Sequence, residues 1–135
     1  MGNIAVGKWS SASSEGYGGV ASRGNDGNTN GNYGGGSCTH TTGGSPSWWQ
    51  VDLAGVYNIH SVEIYHRSGL CGANPCAARG NNYKVYISDT PDYTTGTMCD
   101  MTGYNTDSPS SNVPCGLASA QYVTISPMVT VWGTI

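Results

Sequence analysis

Apolar residues return at every second position in five stretches of the chain. Trp49, Val51 and Leu53 alternate with Gln50 and Asp52, and Val62 and Ile64 alternate with Glu63, Tyr65 and Arg67. Tyr83, Val85 and Ile87 alternate with Lys84, Tyr86 and Ser88; Val123 with Ile125, and Val129 with Val131, repeat the pattern. A period of two puts each apolar set on one face of a strand. No stretch repeats at the helical period of 3.6. The pattern predicts an all-β fold of short antiparallel strands and long loops, arranged as a β-sandwich or jelly roll. The 135 residues carry no internal repeat and no linker, so a single domain over 1–135 is expected. Met1-Gly2 reads as an initiator scar, and the chain stops at Ile135 directly after a strand pattern. The expectation is a domain excised from a larger secreted protein and trimmed at its C-terminus.

Between the strand patterns, Gly24 to Ser47 is almost entirely Gly, Asn, Ser and Thr. Such a stretch is too polar to pack and too rich in turn formers for a helix. A long loop inside a compact domain is usually functional or disordered. Asp26-Gly27-Asn28-Thr29-Asn30-Gly31 matches the first half of an EF-hand loop. The twelfth position is Ser37, where that loop needs a bidentate Glu, so an EF-hand is excluded. What remains is an oxygen-rich loop of the kind calcium accepts, or a set of Asx-turns without metal.

Charge narrows the partners. Only 10% of residues are charged, the net charge is -3, and the mean hydropathy is -0.32. The cations are Lys8, Arg23, Arg67, Arg79 and Lys84, with no basic stripe, which argues against nucleic acid. No apolar run approaches a membrane span, and none forms an N-terminal signal core. Five cysteines stand at 38, 71, 76, 99 and 115. Only Cys71 and Cys76 approach zinc-ligand spacing, and no second pair supports them. Disulfides in an oxidising compartment are the better reading. Two bridges among five cysteines allow 15 patterns, and spacing alone does not choose. The acids are Glu15, Glu63 and six Asp, with no paired-carboxylate, nucleophile or metalloprotease signature, so no enzyme is expected.

Asp26 to His40, followed by Trp48-Trp49-Gln50-Val51-Asp52-Leu53, resembles the signature of the F-type lectin (fucolectin) family. Asn3-Ile-Ala-Val-Gly-Lys8 and Ala21-Ser-Arg23 are similar to that family's first strand and loop. The family's sugar motif is a His, 26 residues, an Arg, and a second basic residue shortly after. Here 26 residues separate His40 from Arg67, and Arg79 stands three positions after Cys76. The likeness runs from Asn3 to about Ile125. It departs where the family has Arg-x-Asp and two adjacent cysteines; here the Asp is missing and four residues separate Cys71 from Cys76.

The resemblance implies a fucose site in which His40, Arg67 and Arg79 grip an axial hydroxyl, a neighbouring hydroxyl and the ring oxygen. An Arg supplies five N–H donors in a rigid fork, and a His adds a donor and an acceptor. It implies a Cys71–Cys76 bridge as one wall and Tyr33 against the sugar methyl; Tyr17, in the Gly-rich entry loop, is a further candidate for the rim. It implies a structural calcium held by Asp26, Asn28, Ser37 and the backbone carbonyl of Arg23. It also implies a Cys99–Cys115 bridge and an unpaired Cys38, with Trp132 where the family has the partner cysteine. Gly133 stands where the family has a calcium-binding Glu. His60 and His66 have no motif support and read as structural. The partners implied are fucosylated glycans outside the cell. The alternative is a discoidin-like sandwich that binds galactosides, phospholipid or protein.

Overall fold

In the computed structural model, residues 3–44, 46–80, 82–102, 110–127 and 133–134 are described, apart from the side chains of Asn74, Arg79 and 133–134. The strands are β1 (Trp9–Ala12), β2 (Trp49–His66), β3 (Leu70–Cys71), β4 (Asn74–Pro75), β5 (Lys84–Ser88), β6 (Thr97–Met101), β7 (Ser110–Ser126) and β8 (Gly133–Thr134). One six-stranded sheet runs in the order β1-β2-β7-β5-β6, with β8 added to β2, and β3 pairs with β4. Every pairing is antiparallel. Four 3-10 turns and no α-helix occur among the described residues. The expected all-β fold is therefore present.

The strands differ from the expectation in length. The Trp49 and Val62 patterns belong to one strand of 18 residues, and Val123 and Ile125 end one of 17 residues. Together β2 and β7 make a long ribbon whose register shifts between Asp52 and Tyr57 and again between Ile59 and Ser61. Ala54 (φ 62°) occupies the left-handed region at the first shift and Leu117 (φ 65°) at the second. Such irregularities bend a ribbon, so its first half pairs with β1 and β5 while its second half receives β8. Val129 and Val131 lie outside the described residues.

The bend lets both halves face one core. Trp49, Val51 and Leu53 from the first half meet Ile59, Val62 and Ile64 from the second, with Tyr83, Val85, Ile87, Val113, Val123 and Ile125. Trp49 is fully buried and its indole Nε1 donates to the carbonyl of Ala21 at 2.9 Å. The ring lies flat on Gly24, where a Cβ would stand 2.6 Å from Nε1. Core and loop are thus joined: the tryptophan holds the 3-10 turn Ala21–Asn25 that leads into the polar loop. Both bridges implied by the resemblance are present, Cys71–Cys76 and Cys99–Cys115. The second closes a loop with 15 residues inside it, worth roughly 3 kcal/mol in the chain-entropy account. Cys38 is unpaired and fully buried.

Candidate functional site

His40 is held first through its main chain. Its N–H donates to Gly19 O at 2.9 Å, and its carbonyl accepts from Gly16 N–H at 2.9 Å. Gly19 must be glycine, because a Cβ there would stand 2.6 Å from His40 N. The imidazole is then oriented by the neighbouring carbonyl of Thr41, which faces Nδ1. A carbonyl only accepts, so Nδ1 carries a proton. His40 is 4% exposed.

Two tyrosines flank that ring. Tyr17, in the left-handed region at φ 54°, meets it edge-on with centroids 4.6 Å apart. Tyr33 meets it from another side at 6.4 Å, and the Tyr33 hydroxyl donates to the carbonyl of Tyr17. The guanidinium of Arg67, just past the end of β2, lies over the Tyr33 ring with Cζ 5.0 Å from its centroid. The two chain segments are tied by Ser68 N–H donating to Gly31 O at 2.9 Å. Here too the glycine is required, because a Cβ on Gly31 would stand 2.5 Å from the carbonyl oxygen of His66. Burial pushes the Tyr33 hydroxyl pKa up, opposed by the positive charges of Arg23 and Arg67.

Four of the seven residues expected at the sugar site, Tyr17, Tyr33, His40 and Arg67, therefore form one contiguous group. Cys71 and Cys76 staple the β3–β4 hairpin that follows Arg67. Arg79 stands in the 3-10 turn Cys76–Gly80, and its side chain lies outside the described residues. Sequence reasoning missed Gly19, Gly31 and Thr41, which act through backbone atoms and leave no signature in residue type.

The polar loop is a ladder of local turns. Oδ1 of Asp26, Asn28, Asn30 and Asn32 accepts, respectively, from the N–H of Asn28, Asn30, Asn32 and Gly34 at 2.9–3.0 Å. The buried Ser37 hydroxyl lies 2.6 Å from Asp26 Oδ2 and 2.9 Å from the carbonyl oxygen of Asn28. Of the four residues expected to hold calcium, three thus bring oxygens together, and Arg23 lies in the adjoining 3-10 turn. Gly133 pairs with His66 in β8, which packs beside that turn. A glycine there brings no carboxylate to the loop. Trp132 lies outside the described residues.

Other polar residues have structural partners. Glu63 accepts from Ser110 Oγ at 2.6 Å and Asn112 Nδ2 at 2.8 Å. Asp52 accepts from Ala54 N–H at 2.8 Å and Gln121 Nε2 at 3.0 Å. His66 is buried with Nε2 2.7 Å from Ser111 Oγ, and burial lowers its pKa. His60 is exposed, on the sheet surface.

The chain is similar to several known proteins. The sequence profile of the NedA-like, galactose-binding domain matches residues 23–125. Fucolectin-4 of Anguilla japonica is 52% identical over 59 residues, 44% of this chain. That matched segment spans only 32% of the relative's length. A Streptococcus pneumoniae fucose binding module is 30% identical with a TM-score of 0.78, covering 97% of this chain and 87% of the module. The lectin domain of lectinolysin, solved with Lewis B antigen, is 31% identical with a TM-score of 0.81, covering 98% of this chain and 90% of that domain.

Proposed function

Given that the chain belongs to the NedA-like galactose-binding domain family, as an F-type lectin domain and not an enzyme, we propose that it binds terminal fucose on glycans through His40, Arg67 and Arg79. The observation that carries this reading is the Arg67 guanidinium placed over Tyr33 beside the fixed imidazole of His40. A fucose presents hydroxyls, a ring oxygen and one apolar methyl, with no charge. It needs rigid donors, an acceptor and a flat apolar wall. Arg67 and Arg79 are the donors, Nε2 of His40 the acceptor, and Tyr33 the wall for the methyl. Tyr17 lines the rim, and the Cys71–Cys76 bridge forms a second wall. Similarity to a fucose binding module and to a lectin domain solved with Lewis B antigen supports the same ligand class.

Calcium fits the loop in part. The Ser37 hydroxyl lies within hydrogen-bond reach of both the Asp26 carboxylate and the Asn28 carbonyl oxygen, and oxygen donors suit a hard cation. Two features oppose tight binding: Asp26 is the single carboxylate in the set, and Gly133 adds none. In this reading Asp26, Asn28, Ser37 and the carbonyl of Arg23 hold the ion. It neutralises the carboxylate and keeps Tyr33 and His40 in place. The disulfides suit an extracellular setting, and no helix among the described residues is long and apolar enough to cross a membrane.

A glycan array probed with and without a chelator tests the reading. Fucosylated glycans bind and free fucose competes. Selective retention of galactosides without fucose would support the discoidin-like alternative instead.

A further inference from the structure

Asn30-Gly31 is the only Asn-Gly pair in the chain, and it lies inside the ladder of turns. From its geometry we propose that Asn30 is a self-modifying site, where the Gly31 amide nitrogen attacks the Asn30 side-chain amide and converts it to an acid.

The hydrogen bond from Asn32 N–H to Asn30 Oδ1, at 3.0 Å, closes a ring that contains both reacting atoms, Asn30 Cγ and Gly31 N. Nucleophile and electrophile are therefore held on one side of the chain. The same N–H points at the oxygen where negative charge develops when Cγ becomes tetrahedral, as an oxyanion hole does. Among the described residues Gly31 N–H has no acceptor, so removing its proton breaks no hydrogen bond. Asn30 is exposed, and its Nδ2 lies against Gly35, where a Cβ would stand 2.5 Å away.

The atoms balance with water and base alone. Base removes the Gly31 N–H proton, and a bond forms between Gly31 N and Asn30 Cγ. The Cγ–Nδ2 bond breaks, and Nδ2 takes a proton from water and leaves as ammonia. Water then opens the cyclic imide at one of its two carbonyls. The products are an aspartate at position 30 and its β-linked isomer, whose main chain runs through Cβ and Cγ. Nothing is oxidised or reduced.

The fold supplies its own controls. Asn28 and Asn32 make the same turn, but Thr29 and Tyr33 follow them. A side chain at the following residue crowds the attacking nitrogen, whereas Gly31 has none. The β-linked product lengthens the backbone by one methylene. It breaks the bond to Asn32 N–H and shifts Gly31 from its seat on His66 and Ser68. That displaces Tyr33, two residues after Gly31. The resulting loss of fucose binding rests on the site reading above; the chemistry does not.

The test ages the folded chain in mildly alkaline buffer and maps its peptides by mass spectrometry. Acid forms at position 30 roughly ten-fold or more faster than at 28 or 32, a barrier difference of about 1.4 kcal/mol. Asn30→Ser keeps a turn acceptor but has no ammonia to lose, so it ages without losing fucose affinity, while the natural chain loses affinity in step with the β-linked product. Equal conversion at Asn28 and Asn32, or no conversion at Asn30 in the folded chain while the urea-unfolded chain converts, would overturn the proposal. Equal loss of affinity in both proteins would overturn its link to binding. The mass readout involves no sugar, so a chain that never binds fucose contradicts the site reading alone.

Discussion

Arg67 holds its guanidinium over the ring of Tyr33, with Cζ 5.0 Å from the centroid. The two residues flank β2, one in the polar loop before it and one just past its end. Their meeting depends on Gly31, whose carbonyl takes the N–H of Ser68. A cation over an aromatic face is worth about 0.5–1 kcal/mol when exposed and about 2 when desolvated.

Replacing Tyr33 separates its two contacts. Tyr33→Phe keeps the ring under Arg67 and removes the hydroxyl bond to Tyr17. It should cost about 0.5–1.5 kcal/mol of stability in a urea titration. Tyr33→Ala removes the ring as well and should weaken fucose binding by about ten-fold, or 1.4 kcal/mol. Equal fucose affinity in Tyr33→Ala and the natural chain would take Tyr33 out of the site.

The strands were legible because the core demands alternation. Trp49, Val51 and Leu53 face inward, and so do Val85 and Ile87. The ribbon was not legible as one piece, because the register shift after Asp52 interrupts the period of two around Ala54, Gly55 and Val56. At the site, His40, Tyr33 and Arg67 were found by spacing and family likeness. The supports were not, because Gly19, Gly31 and Thr41 contribute close backbone approach and a carbonyl. Their residue types would suit any turn.

Asp26 distinguishes a metal loop from a loop of turns alone. Asp26→Asn keeps the oxygen that accepts from Asn28 N–H and removes the charge. If calcium is held there, calcium should raise the melting temperature of the natural chain and not that of Asp26→Asn. Sugar and calcium should then strengthen each other by the same factor, because binding linkage is reciprocal. A melting temperature that ignores calcium in both proteins would leave the loop ordered by turns alone.

His66 should make stability depend on pH. Burial lowers its folded pKa below the ordinary value of 6.5, although Glu63 opposes the shift. Above 6.5 neither state carries the extra proton. As pH falls below 6.5 the unfolded chain takes up a proton that the buried ring resists, so stability falls until the folded pKa is passed. His66→Gln retains a polar atom towards Ser111 and should flatten this part of the profile. Equal slopes for both proteins in urea titrations across that window would contradict the assignment.

The central claim is that a neutral fucose is gripped by His40, Arg67 and Arg79. Calorimetric titration of fucose into the natural chain and into Arg79→Ala measures it directly. The natural chain should bind, and the variant should lose about 2 kcal/mol or more, roughly thirty-fold in affinity, because polar groups of the site lose a charged partner. Undiminished affinity in Arg79→Ala, or no fucose binding by the natural chain, would contradict it.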